Sequence, residues 1–345
     1  MHHAKFYKII IIRISCCKVL LILWNRNMKN ILVTGSSGFV GKSLIRSLIM
    51  SNKYQKIYAL NRRYSHTLPE IVEQLVATSE SVFSTPIPND IDVIIHLAGR
   101  AHILNDNVQN PLEQFRAVNV EGTLQLARQA LENNVQRFIF ISSIGVNGAV
   151  TNKKAFDELD PPQPHADYAI SKLEAEQALK ELFENTNTEL VIIRPPLVYA
   201  ADAPGNFARL LKLASTNLPL PFASLNNRRS FVALENLVSF IEACIEHPQA
   251  KNELFLIADN EVLSTQQLVI SIRKGMGRKA NLIYIPKFLM RVGAICVGKS
   301  KLYEQLFLSL EIDASKARNL LNWTPPINAY AALEKTGKIY FERSE

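Results

Sequence analysis

The sequence predicts an α/β fold, a doubly wound parallel sheet with a smaller C-terminal lobe. Two observations carry that expectation. Short apolar runs that read as buried strands alternate with longer helical stretches, and three of the thirteen glycines fall within seven residues just after the first run. With 345 residues, 48% of them apolar and 20% charged, the chain has the make-up of a globular protein and is long enough for two packed units. Thirteen glycines, sixteen prolines and no evident repeat period exclude collagen-like, low-complexity and solenoid chains. Four cysteines, two of them adjacent at Cys16 and Cys17, form neither a disulfide framework nor a zinc pattern. No metal is therefore expected, and a reducing, cytoplasmic location is.

The formal net charge of +8 is unevenly placed. Residues 1–27 hold Lys5, Lys8, Arg13, Lys18 and Arg26 and no acid, so 8 less 5 leaves +3 for residues 28–345. That weakens any argument for a nucleic-acid binder. The apolar stretch Ile9 to Trp24 is broken by Arg13 and Lys18 and runs into Met28 with no small-residue cleavage site, which suits neither a spanning helix nor a signal peptide. Two readings of this leader stand: an over-extended translation start with Met28 as initiator, or a basic anchor lying in a membrane interface. Membrane association is not expected except through it.

The folded part begins at Met28. Ile31-Leu32-Val33 is a short buried-strand pattern, and Thr34-Gly35-Ser36-Ser37-Gly38-Phe39-Val40-Gly41 follows it, ahead of a helical stretch from Lys42 to Ser51. A glycine turn between strand and helix suits a pyrophosphate, which approaches the backbone too closely for side chains and is met by free N–H groups at the helix start. The turn predicts a Rossmann-type dinucleotide domain. The second strand, Lys56 to Leu60, ends at Asn61-Arg62-Arg63, with Asn61 twenty residues beyond Gly41. An acid there would hold the ribose hydroxyls of NAD. Asn61 followed by Arg62 instead accommodates the 2′-phosphate of NADP, with Arg63 a secondary clamp.

Further strands read at Ile91 to Leu97 and Arg137 to Ser142, separated by a helical stretch from Pro111 to Asn133. Ser142-Ser143 closes its strand at the carboxyl end, where ligands bind in such sheets. Tyr168 and Lys172 lie four apart at the head of a helix over Tyr168 to Phe183 and share one face. A phenol is a poor base at neutral pH, but a nearby ammonium and a positive nicotinamide ring stabilise its phenolate. It could then take a hydroxyl proton while hydride leaves the same carbon, with Ser143 orienting the oxygen.

Taken together, Gly35-x-x-Gly38-x-x-Gly41, His96-Leu97-Ala98-Gly99, Asn119-Val120-Glu121-Gly122-Thr123, Ser142-Ser143 and Tyr168-Ala-Ile-Ser-Lys172 resemble the extended short-chain dehydrogenase/reductases of the NAD-dependent epimerase/dehydratase type that act on nucleotide sugars. The resemblance covers residues 28–345. It implies that Gly35, Ser37, Gly38, Phe39, Val40 and Gly41 line the cofactor pyrophosphate, and that Leu97, Ala98, Gly99 and Pro195 lie along the cofactor. It further implies that Asn119 supports the site, that Ser143, Tyr168 and Lys172 are catalytic, and that Lys172 also holds the nicotinamide ribose.

Dehydratases of this family place an acid just after the catalytic serine or threonine, whereas Ser143 is followed by Ile144-Gly145-Val146-Asn147-Gly148. Simple redox at one carbon is what remains. In the C-terminal part, Asn227-Arg228-Arg229-Ser230-Phe231-Val232 resembles the family's diphosphate-binding strand with Arg229 in register, Asn206 and Phe207 resemble a substrate-contacting segment, and Arg100 a phosphate contact. A guanidinium bridging two phosphates fits physically. Relatives usually carry a glycine where Ala200-Ala201 follows Tyr199, and His102 could reach the sugar.

The family's surface-polysaccharide branch is the most similar. That branch is similar to UDP-glucose 4-epimerases and includes UDP-N-acetylquinovosamine-forming 4-ketoreductases. Asn61-Arg62 tilts the expectation to an NADPH-consuming reductase of a UDP-4-keto-6-deoxy-HexNAc, with a UDP-glucose or UDP-N-acetylglucosamine 4-epimerase using NAD as the alternative. A non-catalytic NADP-binding regulator is a remote third, since Tyr168 and Lys172 are both kept. The expected organisation is a Rossmann domain at 28–196, rejoined by 233–261, with 197–232 and 262–345 as a substrate-binding lobe. Trp323 and the amphipathic stretch Lys287 to Val297 are expected to pack in that lobe. The family implies a homodimer.

Overall fold

The computed structural model describes residues 28–77, 81–101, 110–223, 225–296, 298 and 300–344; the leader and His102 lie outside them. Seven strands form one wholly parallel sheet: β1 (Lys29–Thr34), β2 (Tyr54–Asn61), β3 (Glu73–Val76), β4 (Val93–His96), β5 (Arg137–Ile141), β6 (Glu189–Arg194) and β9 (Leu254–Leu256), in the order β3-β2-β1-β4-β5-β6-β9. The fold is therefore the expected doubly wound one. Central strands are apolar on both faces because helices cover both, so Ile31, Leu32 and Val33 are all fully buried. The strand order reverses at β1, which opens a crevice above the carboxyl ends of β1 and β4.

One face of the sheet is covered by α1 (Phe39–Ser51) and α6 (Leu234–Glu246), through Leu44, Ile45, Leu48, Leu237 and Ile241. The other is covered by α3 (Gly122–Glu132) and α4 (Asp167–Phe183), through Leu126, Ala130, Ala175 and Leu179. The single helix expected over 111–133 has an interruption. It is α2 (Pro111–Arg116), then one π-helical turn (Ala117–Glu121), then α3. Such turns recur at functional sites, and Asn119 sits in this one.

The lobe has a small parallel pair, β7 (Leu197–Tyr199) with β8 (Phe231–Ala233), and its own core around α5 (Asn206–Ala214), α7 (Thr265–Gly275) and α11 (Ala329–Glu342). The C-terminal part divides differently from the expectation. Ala317 and Leu321 of α10 (Ser315–Leu321) and the nearby Trp323 join the core under the sheet, not that of the lobe. The Trp323 indole packs edge-on against Phe240 at 5.0 Å and donates to Ser239 Oγ at 3.2 Å. Among the described residues no helix is long and apolar enough to cross a membrane.

Helices α7 and α11 meet with almost no room between their backbones. A Cβ on Gly275 would lie 1.9 Å from the Glu334 carbonyl oxygen, and one on Gly337 would lie 2.1 Å from that of Ile272. Gly337→Ala should force the helices apart and lower stability by about 2 kcal/mol, read from the urea midpoint. An unchanged midpoint would show that the pair is free to separate.

Candidate active site

The glycine turn is built by backbone contacts. Gly35 adopts a left-handed φ of +68°, and its carbonyl accepts the Gly38 N–H at 2.9 Å. A Cβ on Gly41 would stand 2.1 Å from that same carbonyl oxygen, and one on Gly35 would stand 2.9 Å from the Ala98 nitrogen. Helix α1 begins at Phe39 with no side-chain cap, so its first N–H groups face the crevice. A pyrophosphate fits such a cradle, since glycine clears the approach and the bare helix end supplies donors. Ser37 and Gly38 are exposed at its rim, and Phe39 and Val40 pack half-buried behind it.

Asn61 does a second job that the sequence did not reveal. It is buried, accepts from Ser36 Oγ at 2.7 Å and donates to Gln74 Oε1 at 3.2 Å, tying the turn to β2 and β3. Arg62 and Arg63 beside it are exposed.

Beyond β4 the chain Leu97-Ala98-Gly99-Arg100 runs along the crevice. The Ala98 N–H donates to Thr34 Oγ1 at 3.1 Å, and the side chain of Asn119 brackets Arg100, accepting its N–H at 2.7 Å and donating to its carbonyl at 3.1 Å. Asn119 also donates to Ser171 Oγ at 3.0 Å and so joins this segment to α4. Beneath it lies His96, fully buried between Thr34 Oγ1 at 2.7 Å and Thr123 Oγ1 at 2.8 Å. Burial, with the Lys172 charge adding to it, holds its pKa well below the ordinary histidine value, so it stays a neutral strut.

Lys172 is buried, donates to the Ile141 carbonyl at the end of β5 at 2.9 Å, and lies 4.4 Å from the Phe140 ring centroid. A methyl placed on Gly99 would be 3.4 Å from its ammonium, so Lys172 lines the crevice floor directly below that glycine. Tyr168 stands one turn earlier on α4, with the ammonium 6.0 Å from its ring centroid. Burial alone pushes the Tyr168 phenol up to about 12 and brings Lys172 down to about 8, with Glu176 opposing the latter shift. Burial thus holds the phenol above its ordinary value. Ser143 caps the short turn Ile144–Val146, its Oγ accepting from the Gly145 N–H at 3.1 Å, and the Pro195 carbonyl accepts the Ile144 N–H at 3.0 Å. Those contacts hold Ser143 at the strand end while its hydroxyl hydrogen stays available.

The lobe supplies the other wall. Arg229 is buried, with Nη1 on the Leu308 carbonyl at 2.9 Å, Nε without a partner, and burial lowering its pKa to about 10. A buried guanidinium with an unused donor is what an anion would complete. Asn206 heads α5 and donates to Gln305. Arg100 lies over Phe115 at 5.7 Å, and Phe115 meets the Tyr168 ring edge-on at 6.2 Å, so Arg100 belongs to the same rim.

Sequence reasoning missed the groups that brace this arrangement. Glu176, four residues after Lys172, pairs with Arg194 in the interior, and Ser142 and Asn147 complete the cluster. The spacing Tyr168-x-x-x-Lys172-x-x-x-Glu176 was there to be read as one helix face.

A sequence profile of the NAD dependent epimerase/dehydratase family matches residues 31–258. The chain belongs to that family. It is 36% identical over 316 residues to a UDP-glucose 4-epimerase of Vibrio cholerae, covering 91% of this chain and 96% of the relative. It is 29% identical to the N-acetyl-alpha-D-glucosaminyl-diphospho-ditrans,octacis-undecaprenol 4-epimerase of Escherichia coli O157:H7, covering 77% of this chain and 78% of that one. Among solved structures, the UDP-N-acetylglucosamine 4-epimerase of Bacillus cereus superposes with a TM-score of 0.71 at 20% identity, over 90% of this chain and 99% of that one, a likeness of fold. The protein is an enzyme of the extended short-chain dehydrogenase/reductase kind, and its activity is of the nucleotide-sugar epimerase/dehydratase type.

The buried lysine has a consequence for stability. With its pKa at about 8 when folded against 10.5 ordinarily, the unfolded chain binds more protons than the folded one between those values. Its contribution to stability therefore rises with pH there, and its full cost is felt below about pH 8. Relative to Lys172→Met, the cofactor-free wild type should gain roughly 2 kcal/mol between about pH 7.5 and about pH 10 in paired urea melts. A difference that stays flat would mean that Lys172 is not desolvated.

Proposed function

We propose that this enzyme performs reversible oxidoreduction at C4 of a UDP-hexose or UDP-N-acetylhexosamine, acting as a 4-epimerase in surface-polysaccharide synthesis. The carrying observation is the half-buried Tyr168 one helical turn before the buried Lys172 on the crevice floor, beside a Ser143 that no acid follows. One proton-transfer group then serves one carbon, which suits oxidation and re-reduction there and not the second proton removal of a dehydration. Identity to enzymes named as 4-epimerases favours epimerisation over the net reduction that the sequence alone suggests.

A bound nicotinamide dinucleotide would supply the hydride acceptor and donor, and the positive ring that draws the phenol down from about 12. The chain does the rest. Gly35, Gly38, Gly41 and the open end of α1 would hold the pyrophosphate, and Lys172, close to Gly99, would hold the ribose. Tyr168 Oη takes the C4 hydroxyl proton and returns one to the C4 oxygen, while Ser143 Oγ hydrogen-bonds that oxygen and steadies its developing charge. Arg229, with Arg100 and Asn206 at the rim, takes the diphosphate and leaves the sugar free to present either face. Both faces must be presented for the configuration to invert.

One observation favours the second reading, a UDP-4-keto-6-deoxy-HexNAc 4-reductase consuming NADPH. Where an acid would meet the ribose stands the neutral Asn61, turned inward, with the exposed Arg62 next to it. Arg62→Ala should raise KM for NADPH far more than for NADH, and equal effects would remove this reading.

Purified enzyme is to be incubated with UDP-glucose and with UDP-N-acetylglucosamine without reductant, and separately with UDP-4-keto-6-deoxy-N-acetylglucosamine and NADPH. C4 epimers in the first pair support the proposal, and product only in the third replaces it with the reductase. Tyr168→Phe should lower turnover by at least about a thousandfold while leaving dinucleotide binding intact by fluorescence titration. Retained turnover would remove Tyr168 from the mechanism.

A further inference from the structure

Helix α8 (Lys287–Cys296) belongs to the lobe and packs on its core along one side only. The amphipathic pattern predicts a buried apolar face, yet none of its residues is buried. Met290 and Ala294, one turn apart, are the two that turn half-buried toward the lobe, where Met290 packs on its core. The opposite face carries Phe288, Leu289, Val292 and Ile295, which remain 66%, 49%, 54% and 57% exposed. Tyr284, just ahead of the helix, is 67% exposed and extends the patch. A contiguous apolar surface of this kind marks an interaction site.

Charge says what it meets. From Lys279 to Tyr303 the chain has five basic residues, Lys279, Lys287, Arg291, Lys299 and Lys301, and no acid. Lys287 and Arg291 are exposed, and their i, i+4 spacing puts them along the flank between the packed and the uncovered faces. Aromatic and aliphatic side chains on one face with bare lysine and arginine alongside are the make-up of a helix lying in a membrane interface, where the apolar face enters the acyl boundary and the cations meet anionic headgroups. A second copy is a poor occupant, because a self-complementary contact would set this basic flank against itself.

We infer that the α8 face docks the enzyme on an anionic lipid bilayer. This goes beyond the proposed reaction and does not depend on it. The next helix, α9 (Ser300–Phe307), carries Gln305 against Asn206 and leads directly into Leu308, whose carbonyl holds Arg229. Docking therefore sets the diphosphate side of the cleft one helix away from the headgroup plane.

The full chain should co-sediment with phosphatidylcholine vesicles containing about 30% phosphatidylglycerol, and at least about tenfold less with phosphatidylcholine alone or in about 0.5 M salt. Phe288→Ser/Leu289→Ser/Val292→Ser should lower that binding about tenfold, and Lys287→Glu/Arg291→Glu should do so on the anionic vesicles alone. Both variants should keep the wild-type melting temperature and activity in vesicle-free buffer. Failure of the wild type to bind overturns the inference, as does undiminished binding by the triple variant, which would move the contact to another part of the chain such as the basic residues 1–27. A self-association of the wild type that the triple variant abolishes, without vesicle binding, overturns it in favour of an interface between copies.

Discussion

A carboxylate and a guanidinium with no access to water fix the helix on which the chemistry stands. Glu176 and Arg194 are buried, joined at 2.9 Å through Nε and at 2.5 Å through Nη2. Neither charge could remain there without the other, and removing one partner of such a pair costs about 3–5 kcal/mol. The pair ties α4 to the end of β6, while Ser142 donates to Glu176 from the end of β5 and Asn147 accepts from Arg194 at 2.8 Å beyond the Ser143 turn. Four segments that converge on the crevice thus share one electrostatic anchor. Lys172 lies one helical turn away, and the Glu176 charge partly offsets the burial that lowers its pKa. A lysine can be kept charged at this depth because a carboxylate is fixed close behind it.

What was legible in the sequence is what depends on near neighbours. The glycine turn is readable because backbone crowding acts between Gly35 and Gly41, and the Tyr168 and Lys172 pair because one helical turn separates them. Partners brought together by the sheet are not. Glu176 and Arg194 are 18 residues apart on different elements, and Asn119 reaches Ser171 across 52, so neither pattern announces itself. Asn61 shows a subtler limit: its place at the end of β2 reads as a cofactor contact, while the structure turns its amide inward to Ser36 and Gln74. Trp323 and α8 show the limit of hydropathy itself. An apolar residue needs cover, but its own chain does not say which core provides it, and for α8 the lobe covers only the side of Met290 and Ala294.

The distribution of charge sharpens this. Of the formal +8, five belong to residues 1–27 and five to the acid-free stretch 279–303, so 8 less 5 less 5 leaves −2 for all the rest. The rest of the chain is not basic, and the donors that could meet an anion in the crevice are placed singly: the N–H groups of α1, the Arg229 guanidinium and the Lys172 ammonium. The basic excess lies in two stretches of sequence, residues 1–27 and 279–303. Net charge taken over the whole chain conflates two uses of arginine and lysine, a buried contact with a small ligand and a solvated approach to an extended anionic surface.

The two titrating groups of the site also bound what the protein can do unaided. The Lys172 ammonium lies 6.0 Å from the Tyr168 ring centroid, and burial brings its own pKa down to about 8. Burial likewise raises the Tyr168 phenol to about 12, far from a base at neutral pH. A positive charge brought close to the phenol would draw it down again. Without such a charge Tyr168 is protonated at neutral pH. In the proposed reaction, proton transfer would then be coupled to the redox state of the neighbouring site through electrostatics.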